Sequence, residues 1–156
     1  MEKTLTYVIS TNKSDIKNLR DGICHFLQLH EIDEKTIENQ TRILNVLLNI
    51  CKFYSGSLSV EQNVTVKLIS SKNQILIQIS NHVIDSQEAE LINLDKTIQC
   101  IRGYHNPFEA YLKIKSRSNK IHEINLAKLA YENKTELDFF VTKDNILNMS
   151  SIGTIS

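Results

Sequence analysis

The sequence has few glycines and very little proline. Its 156 residues include four glycines, one proline and no tryptophan. A phosphate-binding loop of the Walker or dinucleotide-binding type needs several glycines close together, because only glycine lets the backbone approach the phosphates. The four glycines are scattered along the chain, which excludes such a loop and the enzyme classes that depend on it.

Cysteine is also scarce. The three cysteines, Cys24, Cys51 and Cys100, are odd in number and widely spaced. This pattern argues against a disulfide framework and a zinc knuckle, and it predicts a reducing compartment. Each cysteine lies on the apolar face of a predicted helix, where burial raises the thiol pKa and disfavours a catalytic Cys51. The five histidines are scattered, with no pair at metal-ligand spacing, so we predict no metal site.

The chain lacks an excess of either charge and lacks long apolar runs. Eighteen basic side chains balance 18 acidic ones, so no overall field attracts nucleic acid or an anionic membrane. No apolar run approaches the roughly 20 residues that cross a bilayer, and the N-terminus turns polar before a signal-peptide core could form. We expect a cytoplasmic protein made of one domain, residues 1–156, with no nucleic-acid or membrane partner.

Hydrophobic periodicity in the first half of the chain predicts one strand, two helices and a hairpin. The run Thr4–Ser10 predicts a strand, and Ser14 is placed to cap an amphipathic helix behind it. Asp33 is placed to cap a second helix, Glu34–Tyr54, whose wide apolar arc is typical of a helix buried between layers. Alternating apolar residues on both sides of "SSKN" predict a hairpin over Val64–Ser80.

The second half of the chain predicts several helices and a second hairpin. We expect a helix over Asp85–Ile101, an interruption at Arg102–Phe108 with a short helix behind it, and a further helix over Ile121–Tyr131. The segments "ELDFFV" and "NILNM", joined by "TKDN", predict a hairpin over Glu136–Met149. Two hairpins favour a mixed, mostly antiparallel sheet. The predicted fold class is α/β in the α+β sense, a two-layer sandwich with the helices on one face of the sheet.

Three segments stand where one ATPase family carries its nucleotide motifs. They are "NVLLN" in the second helix, "ILIQISNHVID" at the end of the first hairpin and "HEINLAKLAYENKTELDFFV" near the C-terminus. Together with the order of elements, they resemble the histidine-kinase-like (GHKL) ATPase domains of sensor kinases, gyrase-type ATPases and small anti-sigma-factor kinases. The resemblance covers nearly the whole chain and implies the histidine-kinase-like ATPase fold.

The first segment departs from the family pattern at the catalytic base. The family has Glu-x-x-x-Asn, in which the glutamate acts as base or orients water and the asparagine holds magnesium. Here Asn49 keeps the asparagine place and Asn45 stands in the glutamate place, on the same helix face. An amide has no accessible proton affinity at neutral pH, so Asn45 cannot act as a general base. The alternative interpretation is that both asparagines only satisfy backbone groups beside a loop.

The second segment has lost its glycines. The family's strand ends in Asp-x-Gly-x-Gly, and its aspartate accepts a hydrogen bond from the adenine amino group. By position Asn81 replaces the aspartate, Val83 the first glycine and Asp85 the second. The Asn81 carbonyl could still accept that bond, whereas the branched Cβ of Val83 resists positive φ and fills the space that a nucleotide needs.

The third segment has lost the phosphate-holding loop. The family opens a helix with Gly-x-Gly-Leu-Ala, whose unbonded amides hold the phosphates. Leu126 and Ala127 match, but Glu123 and Asn125 occupy the glycine places. The Glu123 carboxylate suits a helix N-terminus electrostatically and would repel a triphosphate there. His122 beside it is interpreted as a surface residue.

These departures imply a vestigial nucleotide pocket with no catalytic residue. Its residues would be Asn45, Asn49, Asn81, Val83, Glu123 and Asn125. We therefore expect no cofactor, and a regulatory protein-binding module of bacterial signalling; the resemblance suggests an anti-anti-sigma-like (STAS) domain as partner and leaves a homodimer open. The alternative is a divergent active ATPase or serine protein kinase that acts on such a partner and uses ATP and magnesium. A structural domain cut from a larger complex is a third interpretation.

The predicted partner-binding residues lie between the second and third segments. The stretch "RGYHNPFEAYLKIKSRSNK" stands at the place of the family's ATP lid and carries Tyr104, Phe108 and Tyr111 in a chain with few aromatics. Tyrosine and phenylalanine are enriched where proteins meet, which favours a contact surface. The alternative interpretation is that these rings pack into the emptied nucleotide cleft and plug it.

Overall fold

A computed structural model of the chain describes residues 2–10, 13–54, 64–83 and 88–155. The predicted order of elements is confirmed. In chain order they are β1 (Lys3–Ile9), α1 (Lys13–Leu29), α2 (Glu34–Tyr54), β2 (Val64–Ser70), β3 (Gln74–His82), α3 (Glu88–Gly103), α4 (Pro107–Arg117), α5 (Ile121–Asn133), β4 (Glu136–Val141) and β5 (Ile146–Thr154). Asp85, aligned by sequence with a family glycine, lies outside the described residues.

The five strands form one sheet in the order β1-β2-β3-β5-β4, and all four neighbouring pairs are antiparallel. The sequence had left room for a mixed sheet, but no described pair of strands is parallel. Ile9 at the end of β1 pairs with Val64 at the start of β2. Helices α1 and α2 therefore bring the chain back to the same end of the sheet at which β1 finishes. The returning strand therefore runs opposite to the first.

The helices cover one face of this sheet, which confirms the two-layer sandwich. Along β2 and β3 every second side chain is buried, and the residues between them are partly exposed. The buried sheet residues include Val64, Val66, Leu68, Ile75, Ile77, Ile79, Leu137, Phe139, Leu147 and Met149. They pack in one core with the apolar stripes of the helices. A period of two in the strands and about 3.6 in the helices is what places these residues together.

Local side-chain hydrogen bonds start two of the helices. The predicted cap of α2 is confirmed, because Asp33 Oδ2 accepts a 3.0 Å hydrogen bond from the Thr36 amide. The Thr36 hydroxyl donates a second bond, to Asp33 Oδ1, and this bond together with the amide contact lowers the pKa of the Asp33 carboxyl. Asn106 caps α4 by accepting a 3.0 Å bond from the Phe108 amide, and Pro107 occupies the first helical position.

The predicted cap at Ser14 is wrong. Helix α1 begins at Lys13, so Ser14 lies inside its first turn. The contact that ties β1 to α1 is made instead by Asp15, whose Oδ2 accepts bonds from the Ser10 amide at 3.2 Å and the Ser10 hydroxyl at 2.7 Å. None of the described helices is long and apolar enough to cross a bilayer.

The last strand is longer than its sequence pattern predicts. Strand β5 continues beyond Met149 to Thr154, through residues that are mostly small or polar. Its pairing with β3 runs over nine residues, from His82↔Ile146 to Gln74↔Thr154. The neighbouring long strand supplies the hydrogen-bonding partners that the local sequence does not reveal.

Candidate functional site

A cavity of about 390 Å³ opens where the C-terminal half of α2 meets the start of α5. It is lined by Val46, Asn49, Lys52 and Phe53 from α2 and by Ile121, His122 and Asn125 from α5. The rings of Phe53 and His122 face each other with centroids 4.7 Å apart. The meeting of these two helices thus produces a concave site with amide, imidazole and ammonium groups at its surface.

Two of the predicted pocket residues meet in this cavity. Asn49 projects from α2 and is exposed, and Asn125 projects from the first turns of α5 and is half-buried. Asn45, one turn before Asn49, is half-buried and is absent from the described lining of the cavity. The α2 helix therefore presents the asparagine of the predicted motif to the cavity, but the residue in the place of the base lies outside it.

Glu123 lines a second, adjacent cavity of about 250 Å³. Phe53, Ile121 and His122 border both cavities. The Glu123 carboxylate accepts a 2.8 Å hydrogen bond from the Thr97 hydroxyl of α3 and another from the Ser118 hydroxyl that follows α4.

These hydrogen bonds give Glu123 a structural role. The residue is the third of α5, where a negative charge is stabilised by the helix dipole. Its two oxygens join α3, the α4–α5 connection and the start of α5. Helix N-termini commonly bind anions, and at the N-terminus of α5 the Glu123 carboxylate itself supplies the negative charge.

At this end Lys120 is paired with a carboxylate, and His122 is mainly neutral near pH 7. Lys120 and Glu90 form a 2.8 Å ion pair, and that contact raises the pKa of the Lys120 ammonium. Partial burial lowers the pKa of the His122 imidazole, which favours its neutral form. Neutral amides and imidazole donate and accept hydrogen bonds, and the described residues that line the first cavity include no carboxylate that could serve as a strong general base.

Asn81 and Val83 lie apart from these cavities. Asn81 is only 3% exposed, and its Nδ2 donates to the Cys51 carbonyl at 3.1 Å and to the His82 carbonyl at 3.3 Å. Its Oδ1 is buried and accepts no hydrogen bond from the residues that the structure describes. Val83 is also buried, and its amide donates to the Asn145 carbonyl at 2.9 Å. The hydrogen bond from Asn81 thus reaches the end of α2, two residues past Asn49. Neither Asn81 nor Val83 belongs to the lining of the described cavities.

The aromatic residues of the α4 region lie on an outer surface formed with α5. Phe108 is 41% exposed, and its ring centroid is 4.8 Å from that of Tyr131. Tyr111 stacks on the same tyrosine at 6.0 Å and is half-buried against the core. Leu112, four residues after Phe108, is 49% exposed. We call Phe108, Tyr111, Leu112 and Tyr131 the α4–α5 aromatic surface.

Tyr104 lies near this surface but borders a different cavity. That cavity, of about 510 Å³, lies between the ends of α3 and α5 and the strand β4. Arg102 and Asp138 form an exposed 3.2 Å ion pair at its edge. The Lys113 ammonium lies 5.8 Å from the centre of the Tyr104 ring, so a cation accompanies the aromatic group here.

Sequence reasoning missed several residues of these sites. Leu112 could have been found from its spacing of four from Phe108, which places both on one helix face. Tyr131 and Thr97 gave no local signal, since their partners are distant in the chain. Lys52 and Phe53 follow the predicted motif by one helical turn and could have been included on spacing alone.

Comparison with solved structures finds the same architecture in another protein. A chain in the crystal structure of the SiaB–SiaC complex from Pseudomonas aeruginosa matches this chain with a TM-score of 0.68 and 13% sequence identity, over 97% of this chain and 89% of that chain. An identity this low shows a shared fold and no more. No protein-family model and no curated protein sequence matches the chain. The α+β fold described above is therefore also found in a protein that was crystallised in a two-protein complex.

Proposed function

We propose that this chain is a regulatory protein-binding module of bacterial signalling, built on a histidine-kinase-like ATPase fold and without ATP-dependent catalysis. Its partner would be a protein, with an anti-anti-sigma-like (STAS) domain as the candidate that the family resemblance suggests. The likeness to a chain from a bacterial two-protein complex supports a signalling role through protein contact. The fold alone does not select a function, so the argument depends on the described surfaces.

The observation that carries the proposal is the α4–α5 aromatic surface. Phe108, Leu112 and Tyr131 are each at least 40% exposed and belong to adjacent helices. Exposed aromatic and aliphatic side chains that cluster in this way mark protein contact sites, since isolated apolar residues are ordinary on a surface but contiguous ones are not. Phe108 contacts Tyr131 on the outside of the helical layer, an arrangement that supports a contact surface over a plug.

The lack of catalysis is supported by the residues at the α2–α5 end. Asn45 offers an amide where the family has its base, and Glu123 places a hydrogen-bonded carboxylate at the N-terminus of α5. An anionic triphosphate at that helix terminus would have to displace or tolerate this charge. Both features disfavour the binding and hydrolysis of Mg-ATP.

Affinity capture from the source cells tests the binding role. The wild-type chain should retain a defined protein partner, and Phe108→Ala should lose it while remaining folded. Because Phe108 is exposed, the truncation should cost under about 1.5 kcal/mol, below the roughly 3–5 kcal/mol of a fully buried phenylalanine. Phe140→Ala is the matched control, since Phe140 is 52% exposed on β4. Equal capture by Phe108→Ala and wild type would refute the surface assignment.

One observation favours the enzyme alternative, a divergent ATPase or serine protein kinase. Among the described residues the buried Oδ1 of Asn81 has no hydrogen-bond donor, so it retains the capacity to accept a bond from an adenine amino group. Isothermal titration calorimetry with Mg-ATP separates the two candidates. We expect no binding tighter than about 1 mM. Micromolar binding that Asn49→Ala abolishes would establish the alternative instead.

A further inference from the structure

Helix α4 concentrates positive charge in a chain that is neutral overall. Its exposed side chains include three cations, Lys113, Lys115 and Arg117, and one carboxylate, Glu109. Over the full sequence, by contrast, basic and acidic side chains are equal in number. The field near the surface of α4 is therefore positive, and within a Debye length of about 8 Å it attracts negatively charged groups.

The three cations of α4 have no acidic partner among the residues that the structure describes, whereas Arg102 on α3 and Lys128 on α5 are paired. Two of the three lie against aromatic rings instead. The Lys113 ammonium is 5.8 Å from the centre of the Tyr104 ring, and the Lys115 ammonium is 5.6 Å from the centre of the Tyr111 ring. A cation–π contact directs an ammonium group without cancelling its charge, so the charge remains available to a partner.

These cations border the apolar part of the α4–α5 aromatic surface. Phe108, Leu112 and Lys115 follow one another at the spacing that places side chains on one face of a helix. Lys113 and Arg117 are also four residues apart and form a second row on the exposed side of α4. Exposed aromatic and aliphatic groups thus lie beside positive charge, and a partner has to match both properties to bind here.

We propose that the α4–α5 aromatic surface binds an acidic peptide segment of a partner protein, in which an aromatic or large aliphatic side chain lies between carboxylates. This inference rests on the proposed protein-binding function and names the chemistry of the partner. The apolar side chain would cover Phe108 and Leu112, and the carboxylates would pair with Lys115 and Arg117. Opposite charges of this kind raise the rate of association and select among partners.

An anionic lipid surface also attracts basic helices, but α4 fits a protein segment better. Helices that lie in a membrane interface insert a whole apolar face among the lipids. The apolar face of α4 is already used, because Ala110 and Ile114 are buried in the protein. The large apolar side chains that α4 still exposes are Phe108 and Leu112. Two such side chains can cover one side chain of a peptide but offer little area for insertion into lipid.

Peptide display on the full chain tests the chemistry of the partner. Random peptides on phage are selected on the wild-type chain, and those that also bind the Phe108→Ala variant are discarded. The remaining peptides should contain at least about twice the aspartate and glutamate of the unselected library, together with aromatic residues or leucine. The double variant Lys115→Glu, Arg117→Glu should select peptides enriched in lysine and arginine. The control variant Lys17→Glu, Lys35→Glu changes the net charge equally at exposed positions of α1 and α2 and should still select acidic peptides.

Fluorescence anisotropy with one selected acidic peptide measures the contribution of charge. Its dissociation constant should rise at least about 10-fold between roughly 50 and 300 mM salt, since exposed charges are screened over that range. Lys115→Glu, Arg117→Glu should weaken binding at least about 10-fold, and Lys17→Glu, Lys35→Glu less than about two-fold. Circular dichroism checks that both variants are folded, as the exposure of all four positions predicts.

Several results would overturn the proposal. Peptides that need Phe108 but show no excess of acidic residues, or that Lys115→Glu, Arg117→Glu binds equally well, would exclude the charge requirement and leave the protein-binding function standing. Binding to phosphatidylserine–phosphatidylcholine vesicles that the same double variant loses would assign the surface to a membrane. A selection that yields no Phe108-dependent peptide would count against both the proposed function and this inference.

Discussion

The hydrogen bonds accepted by Glu123 predict a measurable cost for its removal. A hydrogen bond to a charged acceptor contributes about 1.5–3 kcal/mol, and a negative charge in the first turn of a helix adds about 0.3–1 kcal/mol. The loss at Thr97 should be smaller than that, because its hydroxyl also lies 3.0 Å from the Asn93 carbonyl and can donate there instead. Ser118 is half-buried and can regain water. We therefore expect Glu123→Ala to lower the free energy of unfolding by about 1–3 kcal/mol.

Urea denaturation followed by circular dichroism measures this change. The urea concentration at the midpoint of unfolding should fall. The m-value, which is the slope of the unfolding free energy against urea concentration, should stay the same, since the variant loses contacts without changing the surface exposed on unfolding. Glu132→Ala on the same helix is the matched control, because the contact that Glu132 makes with the described part of the chain is an exposed one, 4.0 Å from Lys128. This substitution should cost under about 0.5 kcal/mol. If the two variants lost the same small amount, Glu123 would not join α3 to α5 as described.

Three further predictions concern the core and the titratable groups. Leu47→Ala should cost about 2–5 kcal/mol because Leu47 is buried, whereas Leu112→Ala on the exposed face of α4 should cost under about 1 kcal/mol; similar losses in urea would contradict the packing. Cys51 should react with a thiol reagent much more slowly than half-buried Cys24, because burial raises the pKa of the Cys51 thiol; equal rates by mass spectrometry would be inconsistent with that burial. The nuclear magnetic resonance titration of His122 should have its midpoint below the ordinary pKa of 6.5, since burial disfavours the cation. The stability that this shift contributes is present above pH 6.5 and is lost as the pH falls through the folded-state pKa, and a midpoint at or above 6.5 would contradict it.

The site was only partly predictable from sequence, for a geometric reason. Asn49 and Asn125 line one cavity, and the local sequence pattern had already predicted the helix that carries each of them. Asn81 was placed by analogy beside a nucleotide, but its amide is bonded to the Cys51 carbonyl, which lies 30 residues away in the chain. The Thr97 bond to Glu123 spans 26 residues and leaves no periodic trace in either segment.

The sequence by itself determined the elements, their order and the buried face of each. Apolar residues recur along the strands with a period of two and along the helices with a period of about 3.6. The core residues could therefore be predicted before any contact was known. Asp33 and Thr36 are close in the sequence, and the hydrogen bond between them defines the start of α2. Tertiary structure decided the position of β5 between β3 and β4, the extension of β5 to Thr154 and the contact of Phe108 with Tyr131. Those features depend on pairings between distant segments, and only the packed chain brings their partners within reach.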